Sequence, residues 1–269
     1  MIAAFVAKAI RFSSRVFIKY QHRELASSQL ASFIHDCLEN FMHKLKILLE
    51  DNHLLALAKP AELPTAHGTI PGDSLFDYAK EYIRVTYQKP GNVYLGLVHR
   101  LDQPVSGIVL FAKTSKAASR LSEQFRLHTV KKGYTAIVEG KPRPPEGVFH
   151  DSLLSEDTHR MTRVVQVHTE GAKPAETEYK TIVSDNTHTM LTLFPTTGRK
   201  HQLRIQLGHR CWPVVGDKKY GSNETFNHGI ALHAHSLIFQ HPISKKDVHL
   251  EVDIPSYWFE EFRELLKRR

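Results

Sequence analysis

Tyr94-Leu95-Gly96-Leu97-Val98-His99-Arg100-Leu101-Asp102-Gln103-Pro104-Val105-Ser106-Gly107-Ile108-Val109-Leu110-Phe111-Ala112 carries two apolar, β-rich runs, 94–98 and 107–112, with a polar turn, 99–106, between them. The turn is too short for a crossover helix. The same economy recurs outward in both directions. Before it, 47–50 and 54–58 read as strands around an Asp51-Asn52 turn. Residues 74–87 have helical spacing, with Leu75, Tyr78, Tyr82 and Val85 on one side and Asp73 or Ser74 as cap. After it, 115–126 reads as a helix, and 132–138, 148–154 and 163–168 as strands before a polar turn around Gly171. Residues 177–183 and 189–194 form a hairpin across 184–188. A further helix is expected over 198–208, late strands over 232–239 and 248–252, and an amphipathic helix over 256–267. Short turns between most strands and only intermittent helices predict an α+β domain, with a mixed, mainly antiparallel sheet and flanking helices. A doubly wound parallel sheet would need a helix at nearly every crossover.

The 269 residues suffice for one large domain or two small ones, and an apolar fraction of 41% permits a sizeable core. The formal charge is +8 and the pI about 9.4. Such a surplus suits a polyanionic partner, because cations placed at phosphates release counterions, although it also suits a plain solvated surface. Cys37 and Cys211 lack CxxC spacing, which speaks against a disulfide scaffold or a cysteine zinc site and favours a reducing compartment. No run approaches the roughly 18 apolar residues of a membrane-spanning helix.

Residues 1–23 hold Lys8, Arg11, Arg15, Lys19 and Arg23 and no acid. That composition suits an organelle transit peptide, a basic helix touching RNA, or a start site assigned too early, since Met42 precedes the first ordered pattern. Residues 1–41 are therefore expected to be an extension and 42–269 the catalytic domain. The expected location is the cytoplasm, with organelle targeting through 1–41 as the alternative, and the expected state is a monomer.

Asp102 lies in the polar turn between two strands. An aspartate there either forms the turn or serves as nucleophile or general base. In Gly198-Arg199-Lys200-His201-Gln202-Leu203-Arg204, three cations and a histidine open a helix, which suits either an anion site or a solvated basic face. Lys200 and Arg204 are four apart and would share a helix face. Tyr134 heads an apolar strand and either stacks on a base or joins the core with a wet hydroxyl. His233 and His235 alternate along a strand, but no further ligands have convincing spacing, so no metal is expected. GxGxxG, P-loop and GxSxG patterns are absent, which removes the common nucleotide-binding and serine-hydrolase readings.

Taken together and in order, these segments resemble the RluA-type family of RNA pseudouridine synthases. The likeness runs through 54–60 with its Lys-Pro, then 96–102 followed by 106–113, then 131–140, 197–205, 215–221, 232–234 and His241-Pro242. Ala58, Glu62 and Gln206 depart from the family pattern. The resemblance implies the pseudouridine synthase fold around a central cleft. It also implies Asp102 as the catalytic aspartate, Tyr134 packed on the target base, and Arg204 paired with the Asp102 carboxylate. Arg204 is expected to hold that carboxylate with both prongs of its fork.

The reaction detaches uracil from C1′, turns it and rejoins it through C5. It is an isomerisation, so no cofactor is expected. RNA, ribosomal or transfer, would be the partner. His99, Arg100, Arg199, Lys200, His201 and Gln202 are the candidate RNA contacts. The competing readings are a catalytically idle RNA-binding protein with the same basic cleft, and an Asp-dependent nucleoside hydrolase.

Overall fold

The computed structural model describes residues 46–66, 74–156 and 161–268. The expectations for residues 1–41 lie outside the described residues. Eleven strands form one sheet: β1 (Ile47–Glu50), β2 (Leu54–Lys59), β3 (Gly96–Leu97), β4 (Ser106–Ala112), β5 (Lys131–Glu139), β6 (Glu146–Glu156), β7 (Met161–Val165), β8 (Lys173–Ser184), β9 (His188–Pro195), β10 (Leu232–Gln240) and β11 (Asp247–Glu251). Across the sheet the order is β1-β2-β4-β10-β5-β9-β8-β6-β7, with β3 beside β4 and β11 beside β10. Among the described residues, only β4 and β10 pair in parallel, over His233–Ser106 and Ala234–Gly107. The architecture is the expected α+β fold with a mixed, mainly antiparallel sheet.

Five α-helices accompany the sheet among the described residues: α1 (Leu75–Thr86), α2 (Ser115–Arg126), α3 (Gln202–His209), α4 (Tyr257–Glu261) and α5 (Arg263–Leu266). Ser74 caps α1 by accepting the Asp77 N–H, and Thr114 caps α2 by accepting that of Ala117. On one face of the sheet Leu55, Leu57, Val109 and Phe111 pack with Leu75 and Ile83 of α1. On the other, Leu54, Ala56, Ile108 and Leu110 pack with Ala117 and Leu121 of α2. Every residue of β4 is therefore buried, which explains why 107–112 reads as a continuous apolar run without alternation.

At the β4–β10 seam the backbones approach closely. Gly107 has φ +125°, and a Cβ there would stand 2.3 Å from the Ala234 carbonyl oxygen, so only glycine fits. Strand β10 thus joins two halves of the sheet, β1–β4 on one side and β5–β9 on the other.

Three expectations change. The strand read over 94–98 shrinks to β3. The helix read over 256–267 breaks at Phe262, which separates α4 from α5. The helix read over 198–208 starts only at Gln202, because His201 sits in the left-handed region at φ 55°. Arg199 and Lys200 therefore belong to the preceding loop, and Lys200 does not share a helix face with Arg204.

Candidate active site

Asp102 stands in the loop between β3 and β4, and this loop is fastened on several sides. Thr65 Oγ1 donates to the Leu101 carbonyl and accepts the Leu101 N–H, at 2.8 and 3.1 Å. The Val105 N–H bonds the Asp102 carbonyl, and the Ile230 N–H bonds that of Pro104. Beneath the loop lies Lys59, 2% exposed at the end of β2. Its ammonium donates to the carbonyls of Pro60, Leu63 and Gln103 at 2.9, 2.7 and 3.0 Å. Three acceptors match three ammonium protons and so favour the charged form. Burial opposes this and pulls Lys59 down to about 7, against the attraction of Asp102 and Glu62.

The Asp102 side chain reaches a cleft of about 490 Å³ that Tyr134, Arg204, His201, Arg100 and Arg199 also line. Arg204 Nη1 donates to Asp102 Oδ2 at 3.0 Å. The expected two-pronged hold falls elsewhere: Arg204 Nε and Nη2 both bond the carboxylate of Asp217, at 2.7 and 2.8 Å. Asp217 is 1% exposed, immediately before a 3-10 helix, Lys218–Tyr220. Burial alone would lower the Arg204 pKa, but the hydrogen bonds and charge of Asp217, with Asp102 adding, hold it above its ordinary value. One guanidinium thus serves two carboxylates, a buried one by its fork and a half-buried one by its remaining edge.

Tyr134 comes from β5, half-buried in the same cleft. Burial first, and the Asp102 charge second, push its pKa up, so its hydroxyl keeps its proton. His201 lies beyond Arg204, its Nε2 3.9 Å from Asp102 Oδ2. Burial holds its imidazole well below the ordinary range; Asp102 opposes this, while Arg204, Lys219 and Lys200 add to it. Arg100 is exposed and Arg199 half-buried at the cleft, the Arg199 Nε donating to the Pro174 carbonyl at 3.0 Å. Lys132, beside them, donates to the Thr197 carbonyl at 2.7 Å, and burial, then Arg199, bring it down to about 8.

Two expected RNA contacts also make bonds within the protein. His99 Nε2 accepts the Leu110 N–H at 2.9 Å, and its ring stacks on Phe125 at 4.8 Å. Burial, with the Lys132 charge adding, takes it down to about 4, so it is a neutral brace between the loop and α2. The Gln202 amide is used up within the protein. Its oxygen accepts from Thr197 Oγ1 and the Arg199 N–H, and its nitrogen donates to Thr177 Oγ1 and the Glu176 carbonyl. Lys200 stands in the loop before α3 and does not line the cleft.

Asp217, Lys59 and Thr65 were not singled out from the sequence. An acid inside the otherwise cationic Asp217-Lys218-Lys219 segment was the available signal for the first. A lysine ending an apolar strand was the signal for the second.

A family model for RNA pseudouridylate synthase matches residues 53–209. The ribosomal large subunit pseudouridine synthase C of Rickettsia typhi is 34% identical over 215 residues, 79% of this chain and 69% of that protein. An uncharacterized RNA pseudouridine synthase of Bacillus subtilis, YhcT, is 33% identical over 250 residues, 92% of this chain and 78% of its own. Among solved structures, human RNA pseudouridylate synthase domain containing 4 superposes with a TM-score of 0.71 at 25% identity, covering 87% of this chain and 98% of that one. Half or more of the sequence and nearly all of the described fold agree with one group of enzymes, and this chain belongs to the RNA pseudouridine synthase family.

Proposed function

We propose that this enzyme isomerises uridine in ribosomal RNA, with Asp102 as the group that acts at the sugar. The observation that carries the reading is the Arg204–Asp102 hydrogen bond at 3.0 Å inside a cleft shared with Tyr134. The names of relatives such as the Rickettsia typhi enzyme favour a ribosomal target. The guanidinium donates to the Asp102 carboxylate from one side, which leaves that group to attack C1′ or to remove a sugar proton. Tyr134 offers a flat face to the uracil while it is detached and turned. The target must first leave its stack, at a cost of a few kcal/mol, which phosphate contacts by Arg100 and Arg199 offset.

The test is pseudouridine mapping of total RNA from cells with and without this protein, by a pseudouridine-selective reagent that stops reverse transcription. A stop should vanish on deletion, and return with the wild type but not with Asp102→Asn. Full activity of Asp102→Asn would overturn the assignment. Release of free uracil would instead make the protein a hydrolase, and a stop confined to transfer RNA would move the target.

A further inference from the structure

We propose that Tyr220 is a positioning residue that fixes His201 as an Nε2–H donor facing Asp102, and that this donor reads the ribose 2′-hydroxyl of the target nucleotide. The inference rests on the pseudouridine synthase reading of the cleft.

The hydrogen bonds run in one direction. Tyr220 Oη accepts the Thr162 N–H at 3.2 Å and lies 2.7 Å from His201 Nδ1. A phenol has one proton to give. With the Thr162 amide already donating to the oxygen, that proton goes to Nδ1, the acceptor at 2.7 Å. The Thr162 side chain is a second partner of the same oxygen; with both Thr162 groups donating to it, Nδ1 is the acceptor left for the phenol proton. Asp102 is the acid facing the ring, while Arg204, Lys219 and Lys200 are the cations around it, and burial disfavours a further positive charge there. A neutral imidazole whose Nδ1 accepts must carry its proton on Nε2.

That Nε2 is 3.9 Å from Asp102 Oδ2, too far for a direct hydrogen bond. An oxygen about 2.8 Å from each fills the gap with ordinary geometry. It must accept from His201 and donate to Asp102. The reacting carbon C1′ is flanked by the ring oxygen, which can only accept, and by the carbon bearing the 2′-hydroxyl, which can do both. The pair therefore selects the ribose hydroxyl, the feature that separates RNA from DNA. The backbone supports the placement: His201 is held at φ 55° and ψ 22°, and α3 begins only after it. Tyr220 also lies under the Arg204 guanidinium, 5.2 Å from ring centre to Cζ, so one side chain backs both groups that face Asp102.

The test has two parts. Nitrogen NMR of the full chain with labelled histidine should show His201 with its proton on Nε2, and a mixture of tautomers in Tyr220→Phe, which keeps the ring and loses the hydroxyl. A proton on Nδ1 in the wild type overturns the proposal whether or not Tyr220→Phe folds. In the Asp102→Asn background, where neither ligand reacts, a short RNA spanning the mapped site is bound with uridine or 2′-deoxyuridine at the target. The ribose form should bind about two- to tenfold more tightly, the scale of one hydrogen bond. His201→Leu should abolish that preference and His201→Gln, which retains an N–H donor, should keep part of it. Tyr220→Phe should weaken it alone but change nothing further in His201→Leu. A preference unaffected by His201→Leu overturns the proposal. Failure of the wild type to make pseudouridine would instead remove the functional reading, leaving the tautomer as measured.

Discussion

Asp217 grips Arg204 by both prongs of its guanidinium, at 2.7 and 2.8 Å, and so aims the third donor edge at Asp102. The loop that carries Asp102 is thereby reached from a buried carboxylate on the far side of the cation. Both partners are almost fully buried, so deleting Asp217 leaves Nε and Nη2 of Arg204 without acceptors while Nη1 keeps Asp102. Asp217→Ala should lower unfolding stability by about 3 kcal/mol, the lower end for breaking a buried ion pair, because the guanidinium retains one carboxylate. Urea titration followed by circular dichroism checks this, and a loss below about 1 kcal/mol, the scale of an exposed ion pair, would show that the pair contributes little.

Arg204→Lys keeps the charge and removes the planar fork. One ammonium cannot satisfy Asp217 twice and Asp102 once at these distances. Turnover should fall by roughly a hundredfold or more, the scale of losing a preorganised electrostatic partner. Single-turnover kinetics on the mapped RNA would show it, and near-normal rates would refute the pairing.

Tyr134 gives a simpler comparison. Tyr134→Phe preserves the flat face and should retain capture of the flipped base. Tyr134→Ala should lose about 1–3 kcal/mol of it, the worth of one stacked base. Fluorescence of an analogue base placed at the target position reads capture directly. Equal capture by the two variants would argue against stacking.

Lys59 makes stability depend on pH. Burial brings it to about 7 in the fold, against 10.5 as its ordinary value. Between those values the unfolded chain binds more protons, so this group adds stability as pH rises through that window and withdraws it as pH falls back towards 7. Unfolding free energy should therefore rise more from pH 7 to 9 in the wild type than in Lys59→Met. The methionine variant should also be less stable at pH 9, because buried carbonyls lose the hydrogen bonds of the amine. Parallel slopes in the two proteins would count against a buried, titrating amine.

At the rim, Arg100 is exposed and carries its charge into the cleft mouth. Arg100→Ala should weaken RNA binding and reduce the slope of log affinity against log salt by about one, as loss of one phosphate contact does. An unchanged slope would place Arg100 away from the backbone.

Much of this was legible in the sequence where local chemistry and tertiary structure agree. The turn that holds Asp102, the apolar strand β4 after it and the limits of α2 could be read directly, since composition, cap and turn residues coincide there. The α3 start was not, because a left-handed histidine interrupts good helix formers and is fixed by Tyr220, 19 residues later in the chain. Asp102 and Arg204 could be named together only through family resemblance, because 102 residues separate them. Asp217 went unnoticed as the fork's true partner for a related reason: a carboxylate among lysines looks solvated until its burial is seen. Gln202 and His99 look like RNA ligands in one dimension, and only the folded chain shows the Gln202 amide fully engaged and His99 Nε2 bonded to the Leu110 N–H.

The strand that joins the two halves of the sheet, β10, comes from residues 232–240, while its neighbours β4 and β5 come from 106–112 and 131–139. During synthesis Asp102, Tyr134 and Arg204 all leave the ribosome before the strand that sets them in one frame. A nascent chain that ends before Leu232 has Asp102, Tyr134 and Arg204 but no seam between β4 and β5, with two open edges in its place. Completion of the polypeptide thus gates the birth of activity, and shortened translation products should be sticky and inert rather than partly active.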